Sequence, residues 1–189
     1  MKAAWILVFV FASSVTCFTQ HLKITPAKPS VTDSILIEYD PVFFGDASPI
    51  QCRVYFSGIG SDERDFPKVS VVPITKVGKH WKGHLFPVPA QANAMVITFT
   101  DSLGKRDNNN HKGYWKLFYQ NEKPLPGSWA GAGDLLYGEW ITENCVFHLG
   151  QNLDSVQAFF KRELALHPDT KQAYLRQYLN SFKTGTPET

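Results

Sequence analysis

Between residues 23 and 119 the chain consists of short runs of alternating apolar and polar residues, separated by Pro, Gly and Asx residues. This two-residue period is typical of β-strands with one buried face, and the frequent turn residues favour antiparallel connections. The pattern predicts seven strands, at residues 23–25, 35–39, 52–57, 69–75, 81–86, 95–100 and 114–119. This strand number in about a hundred residues indicates an immunoglobulin-like β-sandwich over residues 20–122. We expect three pairs to point inward: Trp81/Leu85, Ile97/Phe99 and Trp115/Leu117.

The period changes after residue 122. Residues 123–150 open with Lys123-Pro124-Leu125-Pro126-Gly127, which predicts a turn-rich linker that can hold a short helix. Residues 151–189 show a helical period on either side of His167-Pro168-Asp169, which predicts a helical hairpin. Its second helix carries Tyr174, Tyr178 and Phe182 on one apolar side, and a lone hairpin cannot bury both of its apolar faces. The predicted fold is therefore mainly β, a sandwich followed by a short α-helical hairpin.

The first residues follow another pattern. Lys2 precedes an apolar run from Ala3 to Ala12, and small residues follow it, which is the order of a secretory signal peptide over residues 1–19. The run is too short to span a bilayer as a helix, so we expect an exported protein, periplasmic or secreted, without a transmembrane anchor. Lipid attachment at Cys17 is not favoured, because Ser14-Val15-Thr16 matches a lipoprotein cleavage site poorly.

Composition narrows the function classes. With 43% hydrophobic residues the chain is globular, and a formal net charge of +2 lacks the basic excess of nucleic-acid binders. The sequence contains no Gly-x-Ser-x-Gly elbow, no Cys-x-x-Cys and no phosphate-binding glycine loop. We therefore predict a protein that is not an enzyme and uses no cofactor.

Two cysteines remain after signal removal, Cys52 and Cys145. A disulfide between them is compatible with an oxidising compartment. Cys52 also shares a strand face with Val54 and Phe56, which favours a small buried hydrophobic residue equally well. The sequence leaves both alternatives open.

Two patterns suggest metal binding, and we disfavour each. His80 and His84 are four residues apart, but in a strand they span roughly 13 Å, too far for one zinc ion. Asp101 and Asp107-Asn108-Asn109-Asn110 offer oxygen ligands for calcium, yet Asn and Asp are also the residues of tight turns. We therefore predict a turn between the last two strands and no metal site.

The chain is rich in aromatic residues, which make up 14% of it. Rows of exposed rings on a sandwich would favour glycan binding. Trp81 and Trp115 fit core positions, however, and only Trp129 and Trp140 lack an obvious place in a strand. Packing inside the protein is the favoured use of these rings.

Three segments together resemble a known family: Ile24-Thr25-Pro26-Ala27-Lys28-Pro29, Asp107-Asn108-Asn109-Asn110-His111-Lys112-Gly113-Tyr114 and Pro124-Leu125-Pro126-Gly127. They are similar to the N-terminal region of exported TlpA-like thioredoxin-family proteins, where an immunoglobulin-like domain precedes a tetratricopeptide-like helical segment and a thioredoxin domain. The resemblance spans residues 20–185, and the sequence given stops at Thr189, before any redox dithiol. It implies a truncated or accessory relative of a periplasmic thiol-disulfide oxidoreductase, with no catalytic residue to carry over.

Two functional hypotheses follow. The first is a non-catalytic exported interaction module whose partner is a protein, with Tyr174, Tyr178 and Phe182 as the contact face. The alternative is a glycan- or cell-surface-binding sandwich, which requires coplanar exposed rings on one face or at one end.

Overall fold

The computed structural model describes residues 21–44, 49–58, 67–109, 113–137, 140–142, 145–147 and 153–180. The protein is mainly β, an antiparallel sandwich with a small helical part, as the sequence predicts. The predicted signal peptide, with Cys17, and Phe182 lie outside the described residues, as do the side chains of residues 140–147.

Two antiparallel sheets form the sandwich. The first has the order β1 (Leu22–Thr25), β2 (Ile35–Tyr39), β6 (His80–Leu85), β5 (Ile74–Val77). The second has the order β4 (Lys68–Val72), β3 (Ile50–Gly58), β7 (Ala92–Asp101), and both β8 (Arg106–Asp107) and β9 (Tyr114–Leu117) pair with the far side of β7. The order β1-β2-β6-β5 in one sheet is the A-B-E-D order of immunoglobulin-like domains. In the other sheet β3, β7 and the last strands follow the C-F-G order, and β4 is an additional edge strand beside β3.

The core between the sheets follows the predicted alternation. Ile35, Ile37 and Tyr39 of β2 are fully buried against Phe56, Ile97 and Phe99 of the other sheet. The Tyr39 ring stacks on that of Phe99 with centroids 3.7 Å apart. Leu85 is buried as expected, and Trp81 is half-buried at the edge of this core.

One predicted strand is divided in two. The run at residues 69–75 forms β4 and β5, which belong to different sheets and meet at Pro73. Proline has no N–H to donate to a ladder, so the strand stops pairing there and the chain crosses to the other sheet.

The helices form a third layer on the outer face of the second sheet. They are α1 (Ser128–Tyr137), α2 (Leu153–Leu166) and, after a 3₁₀ turn at Pro168–Thr170, α3 (Lys171–Asn180). The predicted linker thus contains α1, flanked by the short hairpins β10 (Tyr119–Gln120) with β11 (Lys123–Pro124) and β12 (Trp140–Thr142) with β13 (Cys145–Phe147). No described helix has both the length and the apolar character to cross a membrane.

The position of α1 corrects the expected orientation of two inward residues. Trp115 and Leu117 of β9 pair with Val96 and Ala94 of β7 and point toward the helices, not toward the opposite sheet. Leu117 is buried there and Trp115 is half-buried. Because α1 covers this face, β7 is buried on both sides and forms the centre of the molecule.

Cys52 lies in β3 as a free, fully buried thiol, which agrees with the second of its two predicted alternatives. The side chain of Cys145 lies outside the described residues. Burial raises the pKa of the Cys52 thiol to about 12, so the thiolate, which is the reactive form, is scarce at neutral pH. We expect iodoacetamide to leave Cys52 unmodified in the native protein and to alkylate it in denaturant, as read by peptide mass spectrometry. A Cys52–Cys145 cross-linked peptide in the unreduced digest would contradict this assignment.

Candidate functional site

A groove of about 400 Å³ runs along the open side of the sandwich, between the edge strands β1 and β9. We call it the edge groove. Leu22 and Ile24 of β1 line one wall, and residues 114–117 of β9 line the other. Ala27, Tyr119 and Trp129 complete the lining. The volume falls in the range of about 300–1,000 Å³ that is typical of ligand-binding clefts.

Along one edge β9 pairs with β7, and along its other edge no described strand pairs with it. The hydrogen bonds of the neighbouring residues show which backbone groups point to that second edge. Phe118 donates its N–H to Asn93 O, toward β7, whereas Tyr119 donates its N–H to Pro29 O, on the opposite side. In an antiparallel strand the N–H and C=O of one residue point the same way, and successive residues alternate. Trp115 and Leu117 therefore present their N–H and C=O groups to the edge groove, without a backbone partner among the described residues.

Aromatic rings close the groove at the helical side. Trp115 lies between Trp129 of α1, with ring centroids 6.0 Å apart, and Phe159 of α2, at 4.9 Å. The guanidinium of Arg162 lies 4.0 Å from the centroid of Trp129. Trp129 is buried, and its indole N–H has no hydrogen-bond partner in the described part of the chain. This wall thus offers apolar area and one unsatisfied donor.

A buried carboxylate fixes the chain where it enters β9. Asp107 accepts hydrogen bonds from the hydroxyls of Tyr39 at 2.5 Å and Tyr114 at 3.0 Å, and from the N–H of Asn109 at 2.9 Å. Burial, with the Asp107 charge as a further cause, raises the pKa of both tyrosines, so both hydroxyls remain protonated donors. Asn109 has a positive φ of 58°, as expected for a tight turn.

These bonds also bear on the metal hypotheses. The Asp107 carboxylate is occupied as described, and that of Asp101 accepts the N–H groups of Leu103 and Lys105 within its own turn. His80 and His84 are exposed residues of β6. Within the described residues, no three His, Cys, Asp or Glu side chains are grouped as metal ligands.

The predicted contact face on the second helix requires a correction at Tyr174, and its third residue, Phe182, lies outside the described residues. Tyr174 is buried with 6% of its surface exposed, and its hydroxyl accepts a hydrogen bond from the Asn93 side chain of β7. Tyr178 is half-buried against Phe160, with ring centroids 5.9 Å apart. These rings pack inside the chain because α3 lies over α2 and the sheet. The helix α3 is therefore not one half of an unfinished repeat. Among the described side chains of this helix, the exposed large apolar ones are Leu175 and Leu179.

Glu163 positions Trp129 and was not among the residues predicted from the sequence. Its carboxylate is fully buried in α2 and accepts the backbone N–H groups of Gly127 at 2.7 Å and Trp129 at 3.0 Å, and the Thr170 hydroxyl at 3.2 Å. The first N–H groups of a helix have no partner within it, so this carboxylate caps α1 from a neighbouring helix. The signal was present: Glu163 lies seven residues after Val156 and three after Phe160, on the buried stripe of α2.

The described rings do not form the platform that the glycan hypothesis requires. The planes of Trp115 and Trp129 are tilted by 57°, and those of Trp115 and Phe159 by 70°. The two well-stacked pairs, Tyr39 with Phe99 and Phe56 with Phe118, are buried.

Comparison with protein-family models, with curated proteins and with solved structures finds no match for this chain. The resemblance to TlpA-like proteins therefore stays a prediction from the sequence.

Proposed function

We propose that the protein is a non-catalytic binding module that takes up an extended segment of a partner protein as an added strand on β9. The observation that carries the proposal is the backbone edge at Trp115 and Leu117, which faces the edge groove and pairs with no strand in the described part of the chain. Extended peptides bind such edges through backbone hydrogen bonds, and neighbouring pockets select their side chains. An exported, accessory role beside a thiol-disulfide oxidoreductase is the corresponding proposal for its cellular context.

The walls of the groove support a peptide with one carboxylate. Lys116 lines the groove and forms no ion pair with a described residue. Its ammonium group is therefore available to pair with an acidic side chain of the ligand. A peptide carbonyl that enters beside Trp129 supplies the acceptor that the buried indole N–H lacks. The tilted rings suit side-chain contacts better than stacking on the flat face of a sugar.

A test begins with peptides selected by phage display on the immobilised protein. Bound peptide is expected to slow hydrogen exchange at the amides of Trp115 and Leu117, which point into the groove, as followed by NMR. The amide of Lys116 is the internal control, because it already faces β7 and its exchange should change little.

Two substitutions of Ala27 test whether the peptide binds in the edge groove, and neither removes a packed side chain. Ala27 is exposed and lines the groove, so Ala27→Trp is expected to fill it and weaken peptide binding by about tenfold or more, measured by calorimetry. Ala27→Ser is the matched control and should bind like the wild type. A chain that binds a glycan array but leaves the Trp115 and Leu117 amides unprotected would overturn the peptide proposal.

A further inference from the structure

Three turns meet at one end of the sandwich, and none of their residues lines the edge groove. They are residues 40–44 after β2, Gly78 and Lys79 between β5 and β6, and residues 102–105 between β7 and β8. The registers place them together, because Tyr39 pairs with Trp81 in one sheet and Ile50 with Asp101 in the other. We call this region the turn end.

Large apolar side chains are exposed on two of the turns and at the last residue of β5, directly before the third turn. Leu103 is 87% exposed, Val42 67%, Val77 52% and Phe43 44%. Isolated exposed apolar residues are ordinary on protein surfaces, but several at one end mark an interaction site.

The shape of the turn end is convex. A Cβ placed on Gly78 or Gly104 would have no atom within 4 Å, so both turns project into open space. Lys105 joins two of the turns, since its Nζ donates to Phe43 O at 2.9 Å and lies 4.2 Å from the centre of the Phe43 ring. The apolar side chains are therefore separate tips on linked turns and not one flat patch.

Among the described residues, the exposed charges at the turn end are cationic. Lys79 and Lys105 are exposed, and neither forms an ion pair with a described carboxylate. The carboxylate of Asp101 is turned inward, 9% exposed, and accepts two N–H groups of its own turn. Asp40 is half-buried beside them.

The N-terminal connection leads to the same end. Asp40 donates its N–H to His21 O, so the chain that precedes β1 joins the fold beside the turn after β2. That preceding chain contains the apolar run from Ala3 to Ala12. The described chain therefore begins at the turn end, where Leu22 of β1 pairs with Tyr39.

We infer that the turn end docks on the surface of an anionic lipid bilayer. Val42, Phe43, Val77 and Leu103 enter the boundary between headgroups and acyl chains, and the two lysines remain at the level of the lipid phosphates. A fluid interface accepts separate convex tips one by one, whereas a protein partner would need a matching pocket for each of them. This inference does not depend on the function proposed for the edge groove.

The test is flotation of the full chain with vesicles of phosphatidylcholine, with and without phosphatidylglycerol. We expect binding to the mixed vesicles that weakens with added salt. The double variant Phe43→Ser, Leu103→Ser is expected to lower the partition coefficient by at least about tenfold, since two apolar side chains no longer leave water. Lys79→Gln should lower it by roughly fivefold.

Phe86→Ser is the matched control. Phe86 is 65% exposed and follows β6 at the opposite end of the sandwich, where Leu85 pairs with Ile35. The Phe86→Ser variant should bind vesicles like the wild type. All variants retain the N-terminal apolar run, so that segment cannot account for a difference between them.

Equal vesicle binding by the double variant and the wild type, or no binding by the wild type, would overturn the inference. A change of oligomeric state in the double variant without a change in vesicle binding would assign the tips to a protein contact instead.

Discussion

Replacing Glu163 with alanine is expected to lower the free energy of unfolding by about 3 kcal/mol. The carboxylate is fully buried, and the N–H groups of Gly127 and Trp129 would lose their acceptor in a place that water does not reach. The Thr170 hydroxyl keeps a second acceptor, His167 O, so most of the cost falls on the start of α1. The substitution also removes the favourable interaction of a negative charge with the N-terminal end of that helix.

Thermal and urea unfolding measure this effect. For a chain of this size the midpoint should fall by about 6–12 °C. Lys161→Ala is the control, because Lys161 is exposed on the same helix and its replacement should change stability by no more than about 0.5 kcal/mol. Glu163→Gln should fall between the two, since its amide keeps one acceptor but turns a donor toward a backbone N–H. A melting point for Glu163→Ala equal to that of the Lys161→Ala control would show that the cap contributes nothing.

The strands of the sandwich could be predicted from the sequence because each of their faces has one clear environment. Ile35, Ile37 and Tyr39 alternate with Leu36 and Glu38 along β2. In the structure the first three are buried and the other two are half-buried, as the alternation predicts. β7 is different, since α1 covers its second face and nearly every residue is buried. A fully buried strand lacks alternation of apolar and polar residues, so the sequence of β7 does not indicate that a helix lies over it.

The sequence predicts that the linker can hold a short helix, but the composition of α1 does not show where that helix lies. Two of its ten residues are Gly131 and Gly133, which disfavour an isolated helix and suggest a flexible linker. Tertiary packing overrides this preference, because buried residues line nearly the whole helix.

The edge groove could not be predicted for another reason. It depends on which strands end a sheet and on how two sheets face each other, neither of which is a property of any single segment. Trp129 and Tyr119 line it, although the chain between them turns twice. By contrast, the buried role of Glu163 could have been predicted, since a charged residue on an apolar stripe requires a partner.

Gly131→Ala is expected to destabilise the protein by about 2–4 kcal/mol, although alanine is the better helix former by about 1 kcal/mol. A Cβ at this position would overlap Asn93 Oδ1 and lie 2.8 Å from Ser57 Oγ. Both neighbours are buried, with 3% and 4% of their surfaces exposed, so neither can swing into solvent. Glycine at residue 131 is what allows α1 to lie this close to β3 and β7.

Gly133→Ala provides the matched comparison two residues along the same helix. There the nearest atom to the new Cβ is Phe159 Cβ at 3.3 Å, which needs only a small shift, so stability should stay within about 1 kcal/mol of the wild type. Equal loss in the two variants would show that helix flexibility, and not the close approach to Asn93, explains the glycine.

The overlap with Asn93 also predicts which other part of the protein Gly131→Ala destabilises. Asn93 donates its side-chain N–H to the Tyr174 hydroxyl at 3.0 Å, so moving Asn93 releases α3 from the sheet. Hydrogen exchange in residues 171–180 should therefore accelerate in Gly131→Ala but not in Gly133→Ala. In a double-mutant cycle, Asn93→Ala should recover part of the Gly131→Ala loss, because it removes the overlapping oxygen. Strictly additive losses would contradict a direct contact between the two positions.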